Sequence, residues 1–269
     1  EMGSAVGAAL AARGRRVLCA LSGRSAATGA RAAGAGLEDA GTLTDACGQA
    51  AVVLSVCPPH AALELARAVA ATGFKGLYID ANAISPETTR KCGAAVEAAG
   101  ASFVDGGIIG APPTAARHGK LHLCGPRARE AAELFEGSFV DAAVLEGPVG
   151  AASALKACYA AWTKGTWLLL ASVYATAQRE GVETALRGEW GRNHPDLLKQ
   201  LAAPSLNPAK GWRWLAEMEE IAATFEAAGQ PGGFALAAAE ICRRLERYKD
   251  DASKPSIETV APALRKALS

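Results

Sequence analysis

The chain has 269 residues, enough for one large domain or two ordinary ones, which excludes a miniprotein held together only by disulfides or metal. Half of the residues are hydrophobic and a fifth are charged, which excludes most classes of disordered chain. The 28 Lys+Arg and 27 Asp+Glu leave a formal charge of +1, so there is no basic field for nucleic acid.

In chain order, Glu1-Met2-Gly3-Ser4-Ala5-Val6-Gly7 opens an apolar helix that reaches Arg13-Gly14, and a strand follows from Arg16 to Ala20. Helix, glycine turn and strand at this spacing form the second part of a βαβ nucleotide-binding unit, with Gly3 as the third glycine of G-x-G-x-x-G. The expected first strand and its two glycines are missing from the chain as given, which predicts upstream residues in the natural protein. After the strand comes Leu21-Ser22-Gly23-Arg24-Ser25, where an NAD-binding unit would place an acid for the ribose 2′-hydroxyl. Arg24, flanked by Ser22 and Ser25, instead suits a 2′-phosphate, because guanidinium grips phosphate with paired charge-assisted hydrogen bonds. The expected cofactor is therefore NADP.

Further apolar runs at Ala51 to Val56, Gly76 to Asp80, Ser102 to Asp105 and Lys120 to Cys124 alternate with Ala-rich helical text. Such runs read as parallel strands buried on both faces. Residues 1–150 are thus expected to form an α/β Rossmann-type domain and 151–269 an all-α domain, broken at Gly181, at Pro204 to Pro208 and at Gly229 to Gly233. The two are joined by a long helix over Ser153 to Glu180, apolar almost all round, whose burial calls for a second subunit; a homodimer is expected. Seven singly scattered cysteines without a C-x-x-C pair read as reduced core thiols of a cytoplasmic protein. The most apolar stretch, Gly165 to Ala177, is too short to span a bilayer, so no membrane association is expected.

Two segments, Y-I-D-A-N-A-I-S-P-E-T-T from Tyr78 and F-V-D-G-G-I-I-G-A-P-P-T from Phe103, resemble cofactor-proximal and substrate-binding motifs of the β-hydroxyacid dehydrogenase superfamily. This superfamily includes 6-phosphogluconate and 3-hydroxyisobutyrate dehydrogenases. G-P-V-G-A-A-S-A-L-K-A-C-Y from Gly147 resembles its catalytic-helix motif, and the whole is most similar to a phosphogluconate-dehydrogenase-like branch. The resemblance implies that Met2 and Gly3 sit at the pyrophosphate turn, that Val56, Cys57 and Pro58 line the cofactor, and that Asn82 lies near nicotinamide and substrate. It matches Lys156 to the catalytic lysine and Gly110 and Ala111 to the substrate motif, whose serine falls on Ile109. Ala160 replaces the motif's asparagine, and the lysine of a later helix is absent near Ala216 or Glu217, so the substrate is left as an unnamed small molecule.

Hydride transfer to or from a carbinol carbon also requires a positioned acid or base. Lys156 is the candidate, since an ammonium on an apolar helix must face a cavity or a partner. Tyr159 and Thr163, at i+3 and i+7, share its helical face and suit substrate orientation. Lys164 lies about 80° away around the helix and is expected in an interdomain ion pair. His60, His122 and His194 lack ligand spacing, and no metal site is expected. Two alternatives stay open: an imine reductase, with Tyr159 as proton donor, and a non-catalytic NADP-binding module.

Overall fold

The computed structural model describes residues 1–202, 208–249, 251 and 255–264. The chain divides into two compact units, Glu1–Ala157 and Cys158–Ser269.

The N-terminal unit runs α1 (Met2–Ala11), β1 (Leu18–Cys19), α2 (Ala26–Gly34), β2 (Glu38–Asp39), α3 (Leu43–Gln49), β3 (Val52–Ser55), α4 (Ala62–Ala71), β4 (Leu77–Asp80), α5 (Pro86–Ala98), β5 (Ser102–Ile109), β6 (Gly119–Cys124), α6 (Ala128–Glu133), β7 (Val140–Val144) and the start of α7 (Ala151–Arg179). Strands β1 and β2 pair in parallel, and β3-β4-β5-β6-β7 form a second sheet in that order. Pleating sends alternate residues to opposite faces. Leu77, Ile79 and Val104 therefore pack with Val6 and Ala9 of α1 and Ala128 and Ala131 of α6. Tyr78 and Phe103, register partners whose rings stack at 6.0 Å, pack with Ala62, Ala66 and Val69 of α4 and Cys92 and Val96 of α5.

Pairing is parallel except between β5 and β6, which run antiparallel with Asp105 opposite Cys124. This corrects the all-parallel expectation. No helix separates the two runs, and a parallel crossover needs a dozen or more residues. Strand β5 also continues through Gly106 and Gly107 to Ile109, beyond the expected Asp105. Two strands escaped the sequence reading: β2 is a two-residue exposed pair of acids, and β7 mixes Asp141 with small residues along a half-exposed edge.

The C-terminal unit holds the rest of α7, then α8 (Glu183–Asn193), α9 (Pro195–Ala202), α10 (Leu215–Ala227), α11 (Gly233–Arg244) and α12 (Ile257–Val260). Gly181 and Gly229, at φ +72° and +73°, mark expected breaks just beyond α7 and α10. Of the expected break at Pro204 to Pro208, residues 203–207 lie outside the described residues. The core gathers Leu168, Ala171, Tyr174, Met218, Ile221 and Cys242. At its edge, the Tyr174 hydroxyl donates to Glu183, while Arg187 donates to that hydroxyl at 3.2 Å and to Glu258 at 2.6 Å, joining α7, α8 and α12.

Candidate cofactor and proton-transfer site

The sequence-derived cofactor residues of the N-terminal unit gather around the carboxyl ends of β1 and β3. Gly3 lies against Val56: a Cβ placed on it would stand 3.4 Å from the Val56 carbonyl oxygen, an ordinary contact. The tighter helix position is Gly7, where a Cβ would meet Leu37 at 3.0 Å. Met2 is half-buried against the same core. In the turn after β1, Ser22, Gly23, Arg24 and Ser25 are all exposed, and Gly23 adopts φ +73°. The Ser25 hydroxyl accepts from the Thr28 N–H and caps α2, leaving Ser22 and Arg24 as the side chains projecting from the turn. The Arg24 charge reaches Cys57, so this turn and the one after β3 are electrostatic neighbours.

Asn82 is 2% exposed, and its hydrogen bonds are internal. Its Oδ1 accepts from the Cys57 N–H at 2.6 Å, and its Nδ2 donates to Ser55 Oγ at 2.8 Å and to Asp80 Oδ2 at 3.0 Å. The amide thus ties the turn carrying Cys57 and the exposed Pro58 to the end of β4. The resemblance put Asn82 near nicotinamide and substrate; in the structure both of its amide N–H groups are engaged by Ser55 and Asp80. Asp80 also accepts the Asn82 N–H at 3.0 Å. Desolvation raises the Asp80 carboxyl to about 6, its bonds to Asn82 oppose that rise, and the neighbouring Asp105 adds to it. Burial likewise pushes the Cys57 thiol up to about 11, so it stays protonated.

Asp105, opposite Asp80 in the β4–β5 register, is fully buried beneath the start of α7. Its Oδ2 accepts from the N–H groups of Gly150 at 2.9 Å, Ala152 at 3.0 Å and Ser153 at 3.2 Å. Its Oδ1 accepts from Ser153 Oγ at 2.6 Å, and the Cys124 thiol donates to Oδ2 at 3.1 Å. Ser153 Oγ also bonds Thr89 Oγ1 of α5 at 2.7 Å. Two residues along β5, Gly107 admits the next turn of α7. A Cβ there would meet the Ala152 carbonyl oxygen at 2.6 Å and Lys156 Cβ at 3.2 Å. Lys156, half-buried, therefore has its stem pressed onto the sheet. Sequence reasoning missed Asp80, Asp105 and Ser153; an acid closing each of two apolar strand runs was the available signal, because a buried carboxylate must be surrounded by donors.

Gly110 adopts φ +105° where β5 ends, and both it and Ala111 are exposed. Tyr159 and Thr163 belong to the C-terminal unit; Tyr159 is 46% exposed and the Thr163 hydroxyl donates to its carbonyl at 3.0 Å. Ala160 is buried. Lys164, expected to bridge domains, pairs with Glu217 inside the C-terminal unit and lies over the Trp214 ring at 5.7 Å. Of the cysteines expected in the core, Cys158 is exposed and Cys19 and Cys57 are half-buried. Among the described residues no group of three or more His, Cys, Asp or Glu side chains is placed to hold a metal ion, and no helix is long and apolar enough to cross a membrane.

A predominantly parallel sheet covered by helices on both faces, with a glycine-containing helix entry and a turn-lined edge, defines a Rossmann-type nucleotide-binding unit, followed here by a helical region. Residues 1–140 match the NAD binding domain of 6-phosphogluconate dehydrogenase, and the chain belongs to that family. Residues 177–245 match a domain of unknown function, DUF1932. No curated protein matches the sequence. Among solved structures, the chain is similar to a conserved hypothetical protein from Sinorhizobium meliloti 1021, at 26% identity over 98% of this chain and 92% of that one, with TM-score 0.69. It shares its fold with 3-hydroxyisobutyrate dehydrogenase from Mycobacterium tuberculosis with L-serine, at 20% identity over 98% and 96% of the two chains and TM-score 0.67. It also shares the fold of a reductive aminase from Aspergillus terreus in complex with NADPH4, cyclohexanone and allyl amine, at 19% identity over 98% and 96% and TM-score 0.55.

Proposed function

We propose that the protein is an NADP(H)-dependent oxidoreductase of the β-hydroxyacid dehydrogenase type, acting on a small hydroxyl or carbonyl substrate with Lys156 as acid/base. The observation that carries this reading is the seating of Lys156 on Gly107, one helical turn beyond the buried carboxylate that receives the start of α7. In this reading residues 1–150 hold the cofactor and 151–269 serve substrate binding and dimerisation. The open turn at Ser22 to Ser25 and the pinned Cys57-Pro58 turn fit a dinucleotide. Met2, Gly3, Val56, Cys57 and Pro58 would take its pyrophosphate side, and Ser22, Arg24 and Ser25 its 2′-phosphate. Asn82 acts by holding the Cys57 turn. A nicotinamide held there would supply the hydride chemistry.

Lys156 Nζ supplies the proton to the substrate oxygen in reduction and removes it in oxidation. Gly110, Ala111 and Thr163 are assigned to substrate contact, and Tyr159 to orientation of the substrate oxygen. Seven free thiols suit a reducing cytoplasm. The exposed apolar residues of α7 support a homodimer.

The test is NADPH oxidation against small aldehydes, ketones and cyclic imines. Lys156→Ala should lower turnover by about 10²–10⁴-fold with NADPH affinity nearly unchanged, because the group acts on the reacting oxygen and not on the cofactor. The exposed Tyr159 hydroxyl favours one second reading, an imine reductase with tyrosine as proton donor. A Lys156→Ala protein of normal turnover beside an inactive Tyr159→Phe protein would select it. NADPH binding with no turnover of any panel member would select a non-catalytic module.

A further inference from the structure

We propose that Asp105 is a positioning residue: its buried carboxylate takes the place of a local cap on α7 and so fixes where Lys156 stands. A helix of this kind ordinarily finds its cap in a Ser, Thr, Asp or Asn just before its first turn. The residues ahead of α7 are Gly147-Pro148-Val149-Gly150, without a hydroxyl or carboxylate among them. Gly147 and Gly150 hold φ of +149° and +107°, so the approach is shaped for close packing rather than for capping. The acceptor comes instead from β5, 45 to 48 residues earlier in the chain. One Asp105 oxygen gathers three N–H groups of the entry turn, which sets the helix along its axis.

The other oxygen takes the Ser153 hydroxyl, which also meets Thr89, and this sets the helix about its axis. A carboxylate at a helix N-terminus is further favoured by the helix dipole. Gly107, on the same face of β5, sets the height of the second turn. Lys156 lies three and four residues beyond Ser153 and Ala152, hence on the face that Asp105 and Gly107 hold. The Cys124 thiol, raised by burial to about 11, stays protonated and remains a donor to the carboxylate. The groups that meet Asp105 here are donors, toward which an amide of equal size would have to turn its own N–H groups.

This inference rests on the acid/base reading of Lys156, and the experiment separates the two. Hydrogen exchange across Gly150 to Ala157 reads the docking without reference to turnover, and kcat with the Kd for NADPH reads its consequence. Asp105→Asn should raise exchange in that segment by about tenfold or more, with the rest of the sheet unchanged, in keeping with the loss of hydrogen bonds to a charged acceptor. It should lower kcat by about 10- to 100-fold, the scale of a small misplacement of a reacting group, with the NADPH Kd kept. Ser153→Ala, which keeps the carboxylate, should shift both readouts the same way by less, and it decides the matter if Asp105→Asn does not fold.

In a Lys156→Ala background, Asp105→Asn should cost no further turnover, since it acts through the lysine. Unchanged exchange at the entry turn, or an equal loss of turnover with and without Lys156, would overturn the proposal. A Lys156→Ala protein as fast as the wild type would instead overturn the acid/base reading, whatever the exchange arm shows.

Discussion

Asp80 is a carboxyl held well above its ordinary range by burial. Burial raises its carboxyl from 3.8 to about 6, although Asn82 donates two hydrogen bonds to it. Between about pH 4 and 6 the native state therefore holds a proton that the unfolded chain has released, and stability falls as pH rises through this window. The loss totals about 3 kcal/mol and is complete above the native value. Asp80→Asn should remove this slope, so that denaturation midpoints of wild type and variant converge or cross between pH 4.5 and 7.5; parallel curves would refute the assignment. Arg24 offers a second test at this scale. Its loss from an exposed turn should weaken NADPH by about 1.5–3 kcal/mol and NADH far less, as measured by calorimetry. Equal affinity of the wild type for both would refute the 2′-phosphate reading. Arg24 was singled out because an expected acid is missing beside it, and Lys156 because it resembles a motif residue. The supporting shell was not: Asp80, Asp105 and Ser153 take their meaning from partners up to 64 residues away, which no local pattern encodes.

At the scale of elements, close approach of α7 to β5 depends on one missing side chain. Gly107→Ala would drive a methyl into the Ala152 carbonyl and the Lys156 stem, both fixed by the docked helix. The expected cost is about 1–3 kcal/mol of stability. Gly188 provides the control, being exposed inside α8 with nothing within 4 Å of a Cβ. Gly188→Ala should stabilise by about 0.5–1 kcal/mol. Thermal or chemical denaturation of the pair reads both signs, and a neutral Gly107→Ala would show that α7 is free to rise from the sheet. Elements were legible in the sequence where burial wrote a long pattern. The apolar runs of β3 and β4 and the unbroken text of α7 gave themselves away within a few residues. Strand β2 did not, because two exposed acids held only by pairing with β1 carry no burial pattern. The orientation of β6 likewise depends on the short connection after Ile109, which allows an antiparallel return that the strand's own residues do not specify.

For the whole molecule, the question left by the single chain is the outer stripe of α7. Trp162, Leu169 and Val173 recur at spacings of seven and four and so share one side of the helix, with Trp162 75% and Leu169 63% exposed. Burying Trp162 and Leu169 would remove large apolar side chains from water, at about 1.5–3 kcal/mol for a side chain of leucine size. Apolar residues aligned in this way suit association better than the scattered exposure found on most monomers. A second copy presenting the same stripe is self-complementary, and closed twofold pairing is the commonest solution. We expect a dimer at micromolar concentration by light scattering, with an interface above about 2,000 Å² in total, the range of obligate pairs. Charging the stripe with Trp162→Lys and Leu169→Lys together should yield monomers, whereas Arg24→Ala, far along the chain in the cofactor turn, should leave the mass unchanged. A wild-type protein of monomeric mass would refute the pairing and leave the stripe's exposure to be explained by a different partner.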